Sequence, residues 1–174
     1  MRYNIKTQDR AKSEVELYLI RDGENCTIYT LQFLRDMESE FEKFVSKFRE
    51  DAEYSEDFSR IAAFITCIAK TGALERYFRP EGKMNDSVVA LPVASSKLRL
   101  YCLRLSDRIL VLGNGGVKKS QKYGDDSLLN GYVMTLQKFE QLLKQEVANG
   151  NVCGCEAINT HLKVKQRRTG PKLH

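Results

Sequence analysis

Five stretches of the chain carry the period-two alternation or the branched and aromatic enrichment of β-strands. Three more carry apolar residues at helical spacing. Residues 15–21 (VELYLIR) and 26–33 (CTIYTLQF) are rich in branched and aromatic side chains, and Asp22-Gly23-Glu24-Asn25 between them is hairpin turn chemistry. The pattern then changes period. Met37, Phe41, Phe44, Val45 and Phe48 form one stripe of a predicted helix over 36–50. Phe58, Ile61, Ala62, Ile65, Ile68 and Ala69 form the stripe of a second, with Ser55 as its expected N-cap and Gly72 as its C-cap.

Strand patterning returns at Val88–Val93, where Pro92 predicts a position at or near a sheet edge. In 97–105, Leu98, Leu100 and Cys102 alternate with Arg99, Tyr101 and Leu103. After a Ser106-Asp107 turn, Arg108–Leu112 is apolar beyond its first residue. Gly113-Asn114-Gly115-Gly116 is expected to stop the sheet through its tolerance of positive φ. A last helix is predicted over 126–148, with Leu128, Tyr132, Leu136, Phe139, Leu143 and Val147 on its apolar face.

The order is hairpin, two helices, three-stranded meander, helix. Segregated strands and helices predict the α+β class, with an antiparallel sheet and a helical hairpin on one face. The other face is then open to present Arg99 and Tyr101. The expected organisation is one domain over residues 1–150, followed by a basic C-terminal tail, 151–174, read as a solvated end.

Charge sharpens this picture. The chain carries a formal net charge of +5, which favours an acidic partner without demanding one. The surplus is uneven. Lys97, Arg99, Arg104, Arg108, Lys118, Lys119 and Lys122 face only Asp107 between residues 97 and 122, whereas 36–60 holds nine acidic and four basic side chains. Cations crowded on adjacent strands are tolerable if they meet an anion, and phosphate is the common one. The five cysteines are odd in number, which argues for a reducing compartment rather than a disulfide framework. Cys153-Gly-Cys155, with only His161 nearby, falls short of a zinc ligand set, so no metal and no cofactor are expected. The N-terminal residues lack signal-peptide patterning, and no stretch reaches the ~20 apolar residues of a membrane span. The expectation is a cytoplasmic protein without membrane contact.

Several reaction classes lack their residues. The chain has no phosphate-binding P-loop, no nucleophile elbow, and only two histidines, His161 and His174, both in the tail. A cationic and phenolic surface can nevertheless cleave RNA, because the 2′-hydroxyl is an internal nucleophile beside its own phosphate. Arginine and lysine stabilise charge on the phosphate oxygens, a lysine crowded by cations can act as base, and a tyrosine can stack a base.

The meander LRLYCLRL followed by RILVL, then G-x-V-K-K-S-Q-K and a long amphipathic helix, resembles the RelE/ParE superfamily of bacterial toxins, closest to its HigB-like, phage-derived branch. The similarity covers about residues 54–148. Asn114-Gly115-Gly116 stands where that branch carries a His-Gly-aromatic triplet, and Ala90-Leu91-Pro92 where a Glu-Leu-Arg triplet is frequent. The resemblance implies a RelE-like fold and the toxin of a type II toxin–antitoxin pair. Such a toxin cleaves mRNA on the ribosome without a metal and is neutralised by a cognate antitoxin. It implies that Arg99 binds the scissile phosphate and that Lys118, Lys119 and Lys122 contact RNA, with Arg99, Lys118 and Lys119 as the catalytic set. Geometry adds Tyr101, Arg104 and Tyr123, and the local charge cluster adds Lys97, as RNA-binding residues. Two alternatives stay open: a catalytically silent nucleic-acid or protein-binding module on the same fold, and a gyrase-poisoning ParE-like toxin.

Overall fold

A computed structural model describes residues 15–33, 35–81, 87–94, 96–119 and 126–148. The strands are β1 (Val15–Asp22), β2 (Thr27–Phe33), β3 (Arg79–Pro80), β4 (Val88–Pro92), β5 (Leu98–Ser106) and β6 (Ile109–Val117). The helices are α1 (Glu40–Phe48), α2 (Ser55–Thr71) and α3 (Ser127–Ala148), with a 3-10 turn at Glu75–Tyr77. The strands form one six-stranded sheet in the order β1-β2-β6-β5-β4-β3. The tail over 151–174 lies outside the described residues.

The α+β class, the N-terminal hairpin and the antiparallel meander β4-β5-β6 agree with the sequence reading. The sheet as a whole is mixed rather than antiparallel, because β6 returns beside β2 and runs parallel to it, from Thr27↔Ile109 to Thr30↔Leu112. Two further expectations are corrected. Both faces of the sheet are covered. Ile28, Leu98, Leu100, Cys102, Leu110 and Leu112 pack with Phe41, Phe44, Phe58, Ile61, Ile65 and Ile68 of α1 and α2. On the opposite face Leu17, Leu31, Val88, Tyr101, Leu103 and Val111 pack with Leu129, Val133, Leu136, Phe139 and Leu143 of α3. A two-layer sheet would leave that second set of branched side chains in water, at about 1.5–3 kcal/mol for each large one.

The glycine run does not stop the sheet either. Strand β6 passes through it to Val117, with a register shift opposite Tyr101 where β6 carries one extra residue. The reason for glycine is close approach. A Cβ on Gly115 would lie 2.0 Å from the Arg99 carbonyl oxygen and 2.9 Å from the Phe44 ring. The left-handed glycine among the described residues is Gly72, at φ 97°, which closes α2.

Local signals set the helix ends. Ser39 and Glu42 form a reciprocal capping box, so α1 begins at Glu40 and Met37 stays outside, almost fully exposed. At α2 the N-cap position is Tyr54 rather than the expected Ser55, with no side-chain cap, and Asp51 Oδ1 accepts from the Glu53 and Tyr54 amides in the turn that precedes the helix. Asp126 caps α3 by accepting from the Leu129 amide. The buried stripe at the start of α3 is offset by one residue from the expected one. Leu129 and Val133 are buried while Leu128 is exposed.

Two glycine substitutions separate these packing claims. Gly115→Ala is expected to lower unfolding free energy by more than about 2 kcal/mol, through the backbone clash. Gly131→Ala, in an exposed helix interior with nothing within 4 Å of the added Cβ, is expected to raise it by up to about 1 kcal/mol. Denaturant unfolding of both variants measures the contrast.

Candidate nucleic-acid interface

Strands β2 and β6 are parallel neighbours, and the chain leaves them toward opposite faces. Strand β2 is followed by α1 on one side, and β6 by α3 on the other. Their ladder ends at Thr30 and Leu112. Crevices form outside the carboxyl ends of strands at such topological switch points. The lead-in to β5, which runs antiparallel to β6, lies at this same end of the sheet.

Four of the predicted site residues gather there. Arg99 pairs in register with Gly116 of β6 and Pro92 of β4. The Lys118 amide donates to the Lys97 carbonyl at 2.9 Å, which brings those two lysines side by side, and Lys119 is the next residue. Lys97 and Lys119 are exposed, Lys118 and Arg99 half-buried. The Arg99 guanidinium is held from below, because its Nη1 donates to the Ser96 and Leu98 carbonyls at 2.7 and 2.8 Å. Burial, and then the charge of Arg79, hold the Arg99 pKa below the ordinary arginine value. A cation that is partly desolvated and crowded by another gains more than an exposed one when an anion arrives.

The other predicted residues are not part of this group. Tyr101 is 1% exposed and lies in the core beneath α3, so it cannot stack an RNA base. The coverage of that face by α3 accounts for the miss. Arg104 lies five residues further along β5, about 16 Å away. Its Nε donates to the Ala73 carbonyl at 2.7 Å and its Nη2 pairs with Asp107, so it ties the β5–β6 turn to the end of α2. Arg108 belongs to that opposite end too, in the turn beside Asp107. Lys122 and Tyr123 lie outside the described residues.

Four groups at this end escaped the sequence reading. Glu81 follows β3, and its amide donates to the Val88 carbonyl. Burial pushes its carboxyl above the ordinary range, although Lys118, Arg99 and Arg79 stand within electrostatic reach and pull it down. Only the β3–β4 pairing brings Glu81 to these cations, and nothing local in the sequence signals it. The others are Lys47 of α1, Asn114 of β6 and Tyr132 of α3. Lys47 Nζ donates to Tyr132 Oη at 2.7 Å and to Asn114 Oδ1 at 3.3 Å, and lies 4.9 Å from the Tyr132 ring centroid. Asn114 Nδ2 donates to Glu40 Oε2 at 3.2 Å, and Glu40 Oε1 takes Lys43 at 2.6 Å. Two helices on opposite faces of the sheet thus touch through the split between β2 and β6.

Among the described residues no group of three or more His, Cys, Asp and Glu is placed to hold a metal ion. No helix among them is long and apolar enough to cross a membrane. No family model, no curated protein and no solved structure matches the chain.

The Glu81 environment has a pH consequence. A carboxyl whose folded-state pKa is raised binds its proton more readily folded than unfolded, so stability falls as pH rises through the carboxylate range toward the raised value. Glu81→Gln removes that loss. The variant is expected to melt higher than wild type at pH 7, with the difference shrinking toward zero near pH 4. Paired thermal melts at the two pH values check this, and a larger advantage at the acid end contradicts it.

Proposed function

We propose that this chain is a metal-independent endoribonuclease of RelE-like architecture. In this reading it is the toxin of a type II pair, acts on mRNA at the ribosome in the cytoplasm, and is neutralised by a cognate antitoxin that covers the same cationic end. The observation that carries the reading is the convergence of Lys97, Arg99, Lys118 and Lys119 at the carboxyl end of the parallel pair, beside a carboxyl of raised pKa.

The chemistry follows from that inventory. Arg99 and Lys119 hold the two non-bridging oxygens of the scissile phosphate and stabilise the charge that builds on them during in-line attack. The Glu81 carboxylate takes the 2′-hydroxyl proton, and a carboxyl pushed up by burial is a better base than an ordinary one. The 2′ oxygen bonds to phosphorus, the bond to the 5′ oxygen breaks, and the Lys118 ammonium returns a proton to the departing oxygen. The products are a 2′,3′-cyclic phosphate and a 5′-hydroxyl. Holding nucleophile and phosphate in line supplies much of the barrier reduction.

A second reading is favoured by Tyr101 and Arg104, which are committed to the core and to a turn. A cationic surface without that phenol and that guanidinium is sufficient for binding, and the chain is then a non-enzymatic RNA- or protein-binding module.

Primer extension on transcripts after brief induction separates the two. Wild type is expected to create new cleavage sites in translated message, and Arg99→Ala/Lys119→Ala to reduce cleavage by at least about 100-fold. Absence of cleavage by a soluble, intact wild type contradicts the endonuclease reading and leaves the binding module.

A further inference from the structure

We propose that the cationic site extends across the sheet to its β3 edge, where Arg79 binds a further phosphate of the RNA strand that Arg99 holds. This rests on the RNA reading above. It adds a binding residue and a direction: the strand crosses the sheet obliquely, from β6 over β5 to β3.

The register puts Arg79 on the face of the other cations. Residues directly opposed in an antiparallel ladder share a face. Arg79 pairs with Ala90, and Ala90 pairs with Tyr101. Ala90 and Tyr101 belong to the cluster beneath α3, so Arg79 lies on that face, two strands out from β5. Arg99 stands two residues before Tyr101 and shares its face by the strand period. Its ladder partner Gly116 confirms this, because a Cβ there would lie 2.9 Å from Leu129 of α3. Lys118 follows Gly116 by two residues on the same side.

The three cations also fall in a row. Lys118 is level with Lys97, two residues before Arg99 and one strand away. Arg79 is level with Tyr101, two residues beyond Arg99 and two strands away on the other side. Strand geometry gives Cα separations of about 8 Å from Lys118 to Arg99 and about 12 Å from Arg99 to Arg79. Cations spaced along one line track the backbone of a single strand.

The row lacks internal neutralisation. Among the described residues no ion pair involves Lys118, Arg99 or Arg79. The β4 residues beside the two arginines, Ala90 and Pro92, bring no charge. After burial, the charge of Arg79 is what lowers the Arg99 pKa, so the two guanidinium groups repel each other. An anion on the row relieves that repulsion. Arg79 is exposed, and its planar fork suits two phosphate oxygens.

Fluorescence anisotropy of labelled hexauridylate, taken with the full chain at several salt concentrations, counts the phosphates neutralised. Arg79→Ala is expected to make the slope of log K against log salt shallower by about 0.7, the value of one phosphate contact. Arg79→Lys keeps the charge and is expected to keep the slope. Arg76→Ala removes the same charge three residues earlier. That exposed side chain lies over the Tyr77 ring, which packs against the cluster on the α1 and α2 face, so its slope is expected to match wild type. Suppose Lys118→Ala flattens the slope while Arg79→Ala leaves it unchanged, or Arg76→Ala flattens it as much as Arg79→Ala. Either result overturns the crossing path and leaves the RNA reading standing. No binding, or a slope that Lys118→Ala does not move, overturns the RNA reading and this inference with it.

Discussion

The short parallel ladder between β2 and β6 governs the rest of the molecule. It is formed by Thr27–Thr30 against Ile109–Leu112, and it ends because the two chains must leave toward opposite faces. At its last pair the Thr30 hydroxyl donates to the Leu112 carbonyl and accepts from the Phe41 amide. One side chain thereby closes the ladder and seats the start of α1. A buried hydroxyl or amide left without such partners costs about 1–3 kcal/mol, and the split beyond Leu112 is accordingly filled by polar groups that satisfy one another. The bulge in β6 keeps Asn114 and Gly115 both on the α1 side, where they meet Glu40 and Phe44. The contact between Lys47 and Tyr132 and the approach of Arg99 to Gly116 both follow from where that ladder stops.

Electrostatics completes the site. The cations of the sheet end are not neutralised by the acidic residues of α1. Those bind locally, as when Asp36 and Glu40 share Lys43. Burial alone would lower the Lys43 pKa, but these two partners hold it above the usual lysine value. Most of the carboxylates therefore lie around α1, while cations gather at the start of β5 and the end of β6, with Glu81 the carboxyl within their reach. Arg99 keeps its place through backbone carbonyls rather than through a carboxylate, which leaves its charge to be met by an incoming anion.

Much of the fold was legible in the sequence, because period and turn chemistry act locally. The hairpin, the meander, the two-helix insertion and the final helix stand near their expected positions. What was not legible depends on residues far apart in the chain. The parallel return of β6 beside β2 has no local signature. The glycine run read as a stop signal, whereas it permits close approach of Phe44 on one side and Leu136 on the other. Tyr101 looked like a surface residue because a two-layer fold exposes its face, and α3 removes that exposure. For the site, the gathering of Lys97, Arg99, Lys118 and Lys119 followed from the meander, so charge along the sequence anticipated it. Glu81, Lys47 and Tyr132 arrive from elements that only the tertiary fold brings together.

The central claim is that the cations at the start of β5 and the end of β6 take RNA phosphates, and counterion release tests it most directly. The affinity of a single-stranded RNA measured across salt concentrations should fall on a line of log K against log salt, with a slope of about −0.7 for each phosphate contacted. Removing Lys118 should make that slope shallower by about 0.7, and removing Arg108, at the other end of the sheet, should leave it unchanged. A slope near zero, or one that responds to Arg108 and not to Lys118, would contradict the account.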